Sequence, residues 1–162
     1  QNLSSVESRI QQTFWEIDVY KTTGDVNGHS LTQRFEYWKA SWSVIKQNVL
    51  FGVGVGDLEQ ELFAEYDKMH SKLAMEYRLH PHNQFLSITL CFGVVGLFWF
   101  LASLFYPMIK LGKHHDYLYL AFFIITICSF FTEDTLETQA GVTFYAFLNS
   151  FLLFVFRNEE EH

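Results

Sequence analysis

The sequence predicts an all-α polytopic membrane protein, with transmembrane helices over residues 85–106, 117–132 and 138–156 and a helical outer domain over residues 1–83. Three observations carry this reading. Of 11 Lys and Arg residues, only Lys110, Lys113 and Arg157 lie beyond residue 83. Residues 84–162 instead hold three uncharged runs of 22, 16 and 19 residues; at about 1.5 Å per residue the first crosses a hydrocarbon core about 30 Å thick. The first 83 residues repeat apolar positions at intervals of three and four, the period of a helix with one packed face. The formal net charge of -7 leaves no basic face for nucleic acid, so that class of partner is excluded.

Each element follows from local chemistry. Val6, Ile10, Phe14 and Ile17 draw one stripe on a first helix over residues 4–20, and Gly24 and Gly28 break it. Ser30 with Gln33 three residues on has the pattern of a capping box and opens a second helix. Its stripe, Phe35, Trp38, Trp42, Ile45 and Val49, is expected to pack against the membrane domain or the first helix. Glycines at 52, 54 and 56 permit a tight turn, and Asp57 with Gln60 starts a third helix through Leu58, Leu62 and Phe63. The glycine run is not a phosphate-cradling P-loop, because no Gly-Lys-Ser/Thr follows. Lys68, Lys72 and Arg78 read as a solvated face. Cys91 and Cys128 fall inside predicted spans and offer neither a disulfide framework nor metal spacing.

Orientation follows from the short links. The link 107–116 carries Lys110 and Lys113 and the tail carries Arg157, whereas the link 133–137 has three acids and no base. Basic links stay in the cytoplasm, which places the C-terminus inside and residues 1–83 outside. The chain starts at Gln1 without a Met or an apolar signal region and is read as the C-terminal part of a longer polytopic protein.

Few residues invite chemistry. Arg34 lies near the start of the second helix, where free amides attract anions, so it suits an anionic ligand; the competing reading is an arginine paired with Glu36 or another acid. His80, Pro81, His82 and Asn83 sit where the outer segment meets the first span, with Pro81 acceptable in a first helical turn. A histidine there can take a proton near neutral pH, or be a plain interfacial residue. No third ligand at metal spacing accompanies the two histidines, so no metal is expected.

Four motifs in order are similar to the O-antigen ligase and polymerase family of bacterial envelope enzymes. They are Arg34 with Trp38; Asn48, Gly52, Gly54, Gly56 and Asp57; His82, Asn83 and Leu86; and Gly93, Gly96 and Leu97. The resemblance runs from about residue 31 through the last span, with Val49 where the family commonly has proline. It implies a multi-pass inner-membrane glycosyltransferase of GT-C type, in which residues 1–83 form a periplasmic loop domain. Such an enzyme moves a glycan from undecaprenyl diphosphate to a hydroxyl of lipid A-core or of another glycan, with inversion, without metal or cofactor. Carried over by position, Arg34 holds the donor diphosphate, His82 acts as the base, and Gly54, Gly56, His80 and Asn83 contribute to the substrate site. The part in hand is expected to be inactive alone, because earlier spans supply further donor-binding groups. The competing class is a transporter or flippase-like component whose outer domain binds or gates an anionic ligand. Such a protein would carry ionisable residues or broken helices at mid-membrane.

Overall fold

The computed structural model describes residues 2–110, 112 and 115–154, and among these every regular element is helical. Lys113 and Arg157, which support the orientation, lie outside the described residues. The N-terminal segment forms α1 (Asn2–Thr23), α2 (Ser30–Gln47) and α3 (Leu58–Lys68), followed by a 3-10 turn at Met75–Tyr77. Three apolar helices follow: α4 (Gln84–Lys110), α5 (Tyr117–Thr132) and α6 (Gln139–Phe154). With 27 residues, α4 is long and apolar enough to cross a membrane; α5 and α6 are apolar helices of 16 residues each.

Two cores meet on α4. Val26, Tyr37, Ala40, Val44, Leu62 and Tyr66 of the outer segment close over Leu90 and Cys91 in the first half of α4. Each buried Val or Leu side chain there contributes about 1.5–3 kcal/mol by leaving water. The second core joins Leu104 to Tyr119, Phe122, Phe130 and Leu152, tying α4 to α5 and α6. In a bilayer that core is held by close packing, since lipid tails are as apolar as the side chains.

The buried face of α2 differs from the expected one. Thr32, Glu36, Tyr37, Ala40, Ser41, Val44 and Ile45 are buried, whereas Phe35, Trp38 and Trp42 are exposed. The helix is rotated because Glu36 goes inward, where it accepts from Tyr20 Oη at 3.1 Å, Lys39 Nζ at 2.7 Å and Ser71 Oγ at 2.9 Å. Burial by itself would raise the Glu36 carboxyl, but the donors from Lys39, Ser71 and Tyr20 outweigh it and hold the group below its ordinary value. Val6, Ile10 and Phe14 of α1 are likewise exposed.

The expected capping boxes also resolve differently. His29, not Ser30, is the N-cap of α2, and no side chain of its own caps the helix. The buried Glu16 of α1 instead accepts the Leu31 amide at 3.4 Å, supplying a negative charge at the helix start. Asp57 does occupy the cap position of α3, again without a side-chain bond. Arg78 is not solvated: it lies over the Tyr66 ring and pairs with Asp67 at 2.7 Å.

The glycine motif is more than a turn. In a regular helix the amides of Val94 and Val95 would donate to the carbonyls of Leu90 and Cys91. Here Gly93 adopts φ 64, ψ -167 and interrupts that ladder. The loop before α3 inserts into the gap: Val53 N donates to Leu90 O at 2.8 Å and Gly54 N to Cys91 O at 3.0 Å. Val94 N donates to Val49 O at 2.9 Å and Val95 N to Leu50 O at 3.4 Å. Two intrahelical bonds are thereby exchanged for four loop bonds, so the break leaves these backbone groups satisfied.

The acidic link 133–137 and the segment ending at Asn83 meet at one end of the apolar bundle, because Asn83 N donates to Asp134 and Asn83 Nδ2 to Phe131 O. Lys110 closes the other end of α4. With both native cysteines replaced, a cysteine introduced at Asp25 is expected to react with an impermeant thiol reagent added from outside, and one at Gly112 to be protected. Reversed labelling would invert the orientation inferred from the basic link.

Candidate active site at the head of α4

The segment before α4 is positioned by aromatic donors of the outer helices. Tyr37 Oη donates to Tyr77 O at 2.8 Å, Tyr66 Oη to Leu79 O at 3.0 Å and Trp38 Nε1 to Pro81 O at 2.9 Å. Burial pushes both phenols up, Tyr66 furthest, so they stay protonated donors. The spacing of Trp38 four residues after Arg34 thus has a structural meaning: the indole anchors the segment that presents His82.

The motif of His82, Asn83 and Leu86 also resolves into geometry. Asn83 Oδ1 accepts from Leu86 N at 3.1 Å, which makes Asn83 the N-cap of α4. Pro81 therefore precedes the helix and does not sit in its first turn. Asp134 accepts from the Asn83 amide at 2.8 Å and from Ser87 Oγ at 2.7 Å, and Gln84 Oε1 accepts from Leu136 N at 2.6 Å. These bonds stitch the acidic link onto the head of α4. His82 itself has φ 47, left-handed backbone that a non-glycine residue seldom adopts. A residue held there by its neighbours is a mark of functional sites.

Arg34 and His82 converge on one carboxylate. Arg34 donates through one terminal nitrogen to Thr132 O at 2.8 Å and through the other to Glu133 Oε1 at 3.0 Å. His82 Nδ1 lies 3.3 Å from Glu133 Oε2, with its ring 5.9 Å from the ring of Tyr37. The arginine read as an anion site and the histidine read as a base thus flank the same negative group, 48 residues apart in sequence. Of the two readings of Arg34, pairing with an acid holds in this state, and the acid is Glu133 rather than Glu36.

Beside them lies a cavity of about 530 Å³ lined by Leu79, His80, His82, Ser129, Glu133 and Asp134 among others. His80 Nδ1 is shielded from solvent and has no hydrogen-bond partner. Among the described residues no group of three or more His, Cys, Asp or Glu side chains could hold a metal ion.

The other expected site residues have internal duties. Asn83 is 8% exposed, with both ends of its amide engaged in the chain. The Gly54 amide is bound to Cys91 O, eight residues or more along α4 from His82 and so about 12 Å away along the axis. Gly56 lies on the same loop, with open space where a Cβ would be. The structure therefore brings Arg34, His80 and His82 together, and ties Gly54 to α4 further along the helix. Glu133 and Asp134 were legible only as charge in a link of three acids, because their partners lie 47 to 99 residues away.

The family model described as O-antigen ligase matches residues 2–101, a range that starts earlier than the resemblance in the motifs and ends within α4. Arg34, the glycine loop and His82 fall inside it, and Glu133 falls outside. Among curated proteins, none matches the chain.

Proposed function

The chain belongs to the O-antigen ligase family, and on that premise we propose that it serves the transfer of a glycan from undecaprenyl diphosphate to an acceptor hydroxyl, with inversion and without a metal. At family level this is a membrane-embedded glycosyltransferase of O-antigen ligase or polymerase type. The convergence of Arg34 and His82 on one carboxylate carries the finer reading. It supports an oxyanion position bracketed by a guanidinium fork and a base. In the reaction the acceptor hydroxyl passes its proton to His82 while its oxygen bonds to the anomeric carbon. The bond from that carbon to the diphosphate oxygen breaks, and its electron pair leaves on the diphosphate. Arg34 meets the charge that develops there, and a guanidinium fork matches diphosphate oxygens better than an ammonium does. His80 takes part in the cavity beside it, while Gly54, Gly56 and Asn83 act through the scaffold. An apolar groove of about 630 Å³ begins at Asn83 and passes Trp38, Phe85, Leu97, Leu101 and Phe105, which supports a polyprenyl tail beside the diphosphate.

Periplasmic placement of residues 1–83, three spans, and lipid A-core or glycan acceptors belong to the same proposal. The break in α4 is a feature that would favour a transporter. Its Leu90 and Cys91 carbonyls and its Val94 and Val95 amides are already bonded to the loop, and so are not offered to a cargo.

A strain whose chromosomal gene carries Arg34→Lys is expected to lose roughly 10- to 100-fold of its transfer rate, although charge is preserved. Near-native transfer at matched protein level would reduce Arg34 to a surface cation. Glycans of a deletion strain identify the acceptor: core without polymer marks a ligase, and core capped with single repeats marks a polymerase.

A further inference from the structure

We propose that Glu133 is the positioning residue for His82, and that the donor diphosphate hands it over by taking Arg34 from it. This rests on the transferase reading of Arg34 and His82.

The Glu133 carboxylate is divided between two partners, Oε1 toward Arg34 at 3.0 Å and Oε2 toward His82 Nδ1 at 3.3 Å. It is held at the C-terminal end of α5, where Arg34 also takes the Thr132 carbonyl at 2.8 Å. A carboxylate facing Nδ1 favours the tautomer with the proton on Nδ1, which leaves Nε2 unprotonated to accept from a hydroxyl. A solvated histidine side chain prefers the opposite tautomer, with the proton on Nε2, so an unsupported His82 presents the wrong nitrogen. The charged and titratable groups around His82 are Arg34 and Tyr37 from α2, His80 on its own segment, and Glu133, Asp134 and Glu137 from the link. Of these, Asp134 is already committed to the Asn83 amide and Ser87, and Glu133 is the acid with an oxygen 3.3 Å from the ring Nδ1.

The sharing has a second consequence. Arg34, Glu133 and His82 side chains are 29%, 56% and 34% exposed, so the cluster opens to an incoming anion. A diphosphate brings more charge than a carboxylate and fits the guanidinium fork, so it displaces Glu133 from Arg34. Glu133 then serves His82 alone, and the base is set only when the donor is seated. The empty site keeps Arg34 neutralised and the histidine half-served.

The proposal is tested by steady-state kinetics of the full enzyme reconstituted in liposomes, with an undecaprenyl diphosphate-linked glycan as donor. Glu133→Ala is expected to lower kcat by roughly 10- to 100-fold, part of what a positioned base contributes. Its donor KM should fall by roughly two- to fivefold, the worth of the exposed ion pair no longer competing for Arg34. Glu133→Gln keeps an oxygen that can accept from Nδ1, so it retains kcat within a few fold while sharing the lower donor KM. In 15N spectra of labelled imidazole with donor bound, His82 should carry its proton on Nδ1 in the wild type and shift toward Nε2 in Glu133→Ala. A residue that only supported the fold would not lower kcat and donor KM together, nor change the tautomer. Unchanged kcat in Glu133→Ala, a raised donor KM in either variant, or an unmoved tautomer overturns the proposal. Failure of the underlying transferase reading looks different: a His82→Ala enzyme would then transfer at the wild-type rate.

Discussion

His82→Ala is expected to slow glycan transfer by roughly 10²- to 10⁴-fold while donor binding persists, the range that a positioned general base contributes. Three observations single out His82 over its neighbour. Its ring faces the carboxylate shared with Arg34, its backbone is held at φ 47, and it precedes the Asn83 cap that fixes the start of α4. His80 lines the same cavity, but its Nδ1 is shielded and has no partner, so no bond at that nitrogen orients the ring. His80→Ala should therefore cost much less. A metal-independent base also requires that a chelator leave the wild-type rate unchanged. Equal, severe losses in both variants together with sensitivity to EDTA would replace the base by a metal site. An unimpaired His82→Ala enzyme would remove the residue from the chemistry altogether.

Much of the helical order is readable from charge and period alone. The uncharged run 117–132 coincides with α5, and α4 begins one residue before the expected span. These bounds are legible because a single charge or cap decides them locally: Asp116 caps α5 and Asn83 caps α4. What escaped depends on partners far along the chain. The aromatic stripe of α2 looked like a packed face, but Glu36 rotates that face away once Tyr20 and Ser71 supply donors. Glu133 looked like one of three acids setting an orientation, because its pairing with Arg34 spans 99 residues. Arg34 and His82 were legible as site residues by type and motif position, and their convergence was not. Gly93 was likewise legible only as a motif position inside an uncharged run; its meaning lies in a loop some 40 residues earlier.

That loop gives the second large effect: Gly93→Ala is expected to deplete the folded protein from the membrane. With φ 64 and ψ -167, Gly93 occupies backbone space that is nearly closed to other residues, at a cost of about 1–3 kcal/mol for an alanine forced into it. A Cβ there would also collide with the Leu50 carbonyl and Phe51 N, backbone atoms that cannot rotate aside. Overpacking of that kind costs about 1–3 kcal/mol more. Relief by separation would break the bonds from Val53, Gly54, Val94 and Val95 and leave polar backbone groups unpaired beside an apolar span. Gly52→Ala meets the mirror problem, with φ 68 and a Cβ directed into the Leu90 and Cys91 carbonyls. Gly56→Ala is the matched control, because open space surrounds its Cβ position and its φ is not in the left-handed range. Membrane protein level and thermal unfolding in detergent should drop for the first two and hold for the third. Hydrogen exchange at Val53, Gly54, Val94 and Val95 should accelerate in any Gly93→Ala protein that survives. A Gly93→Ala protein with wild-type level, unfolding temperature and exchange would show that the inserted loop does not hold the outer domain to the span. His82 would then be positioned by the aromatic donors of α2 and α3 alone.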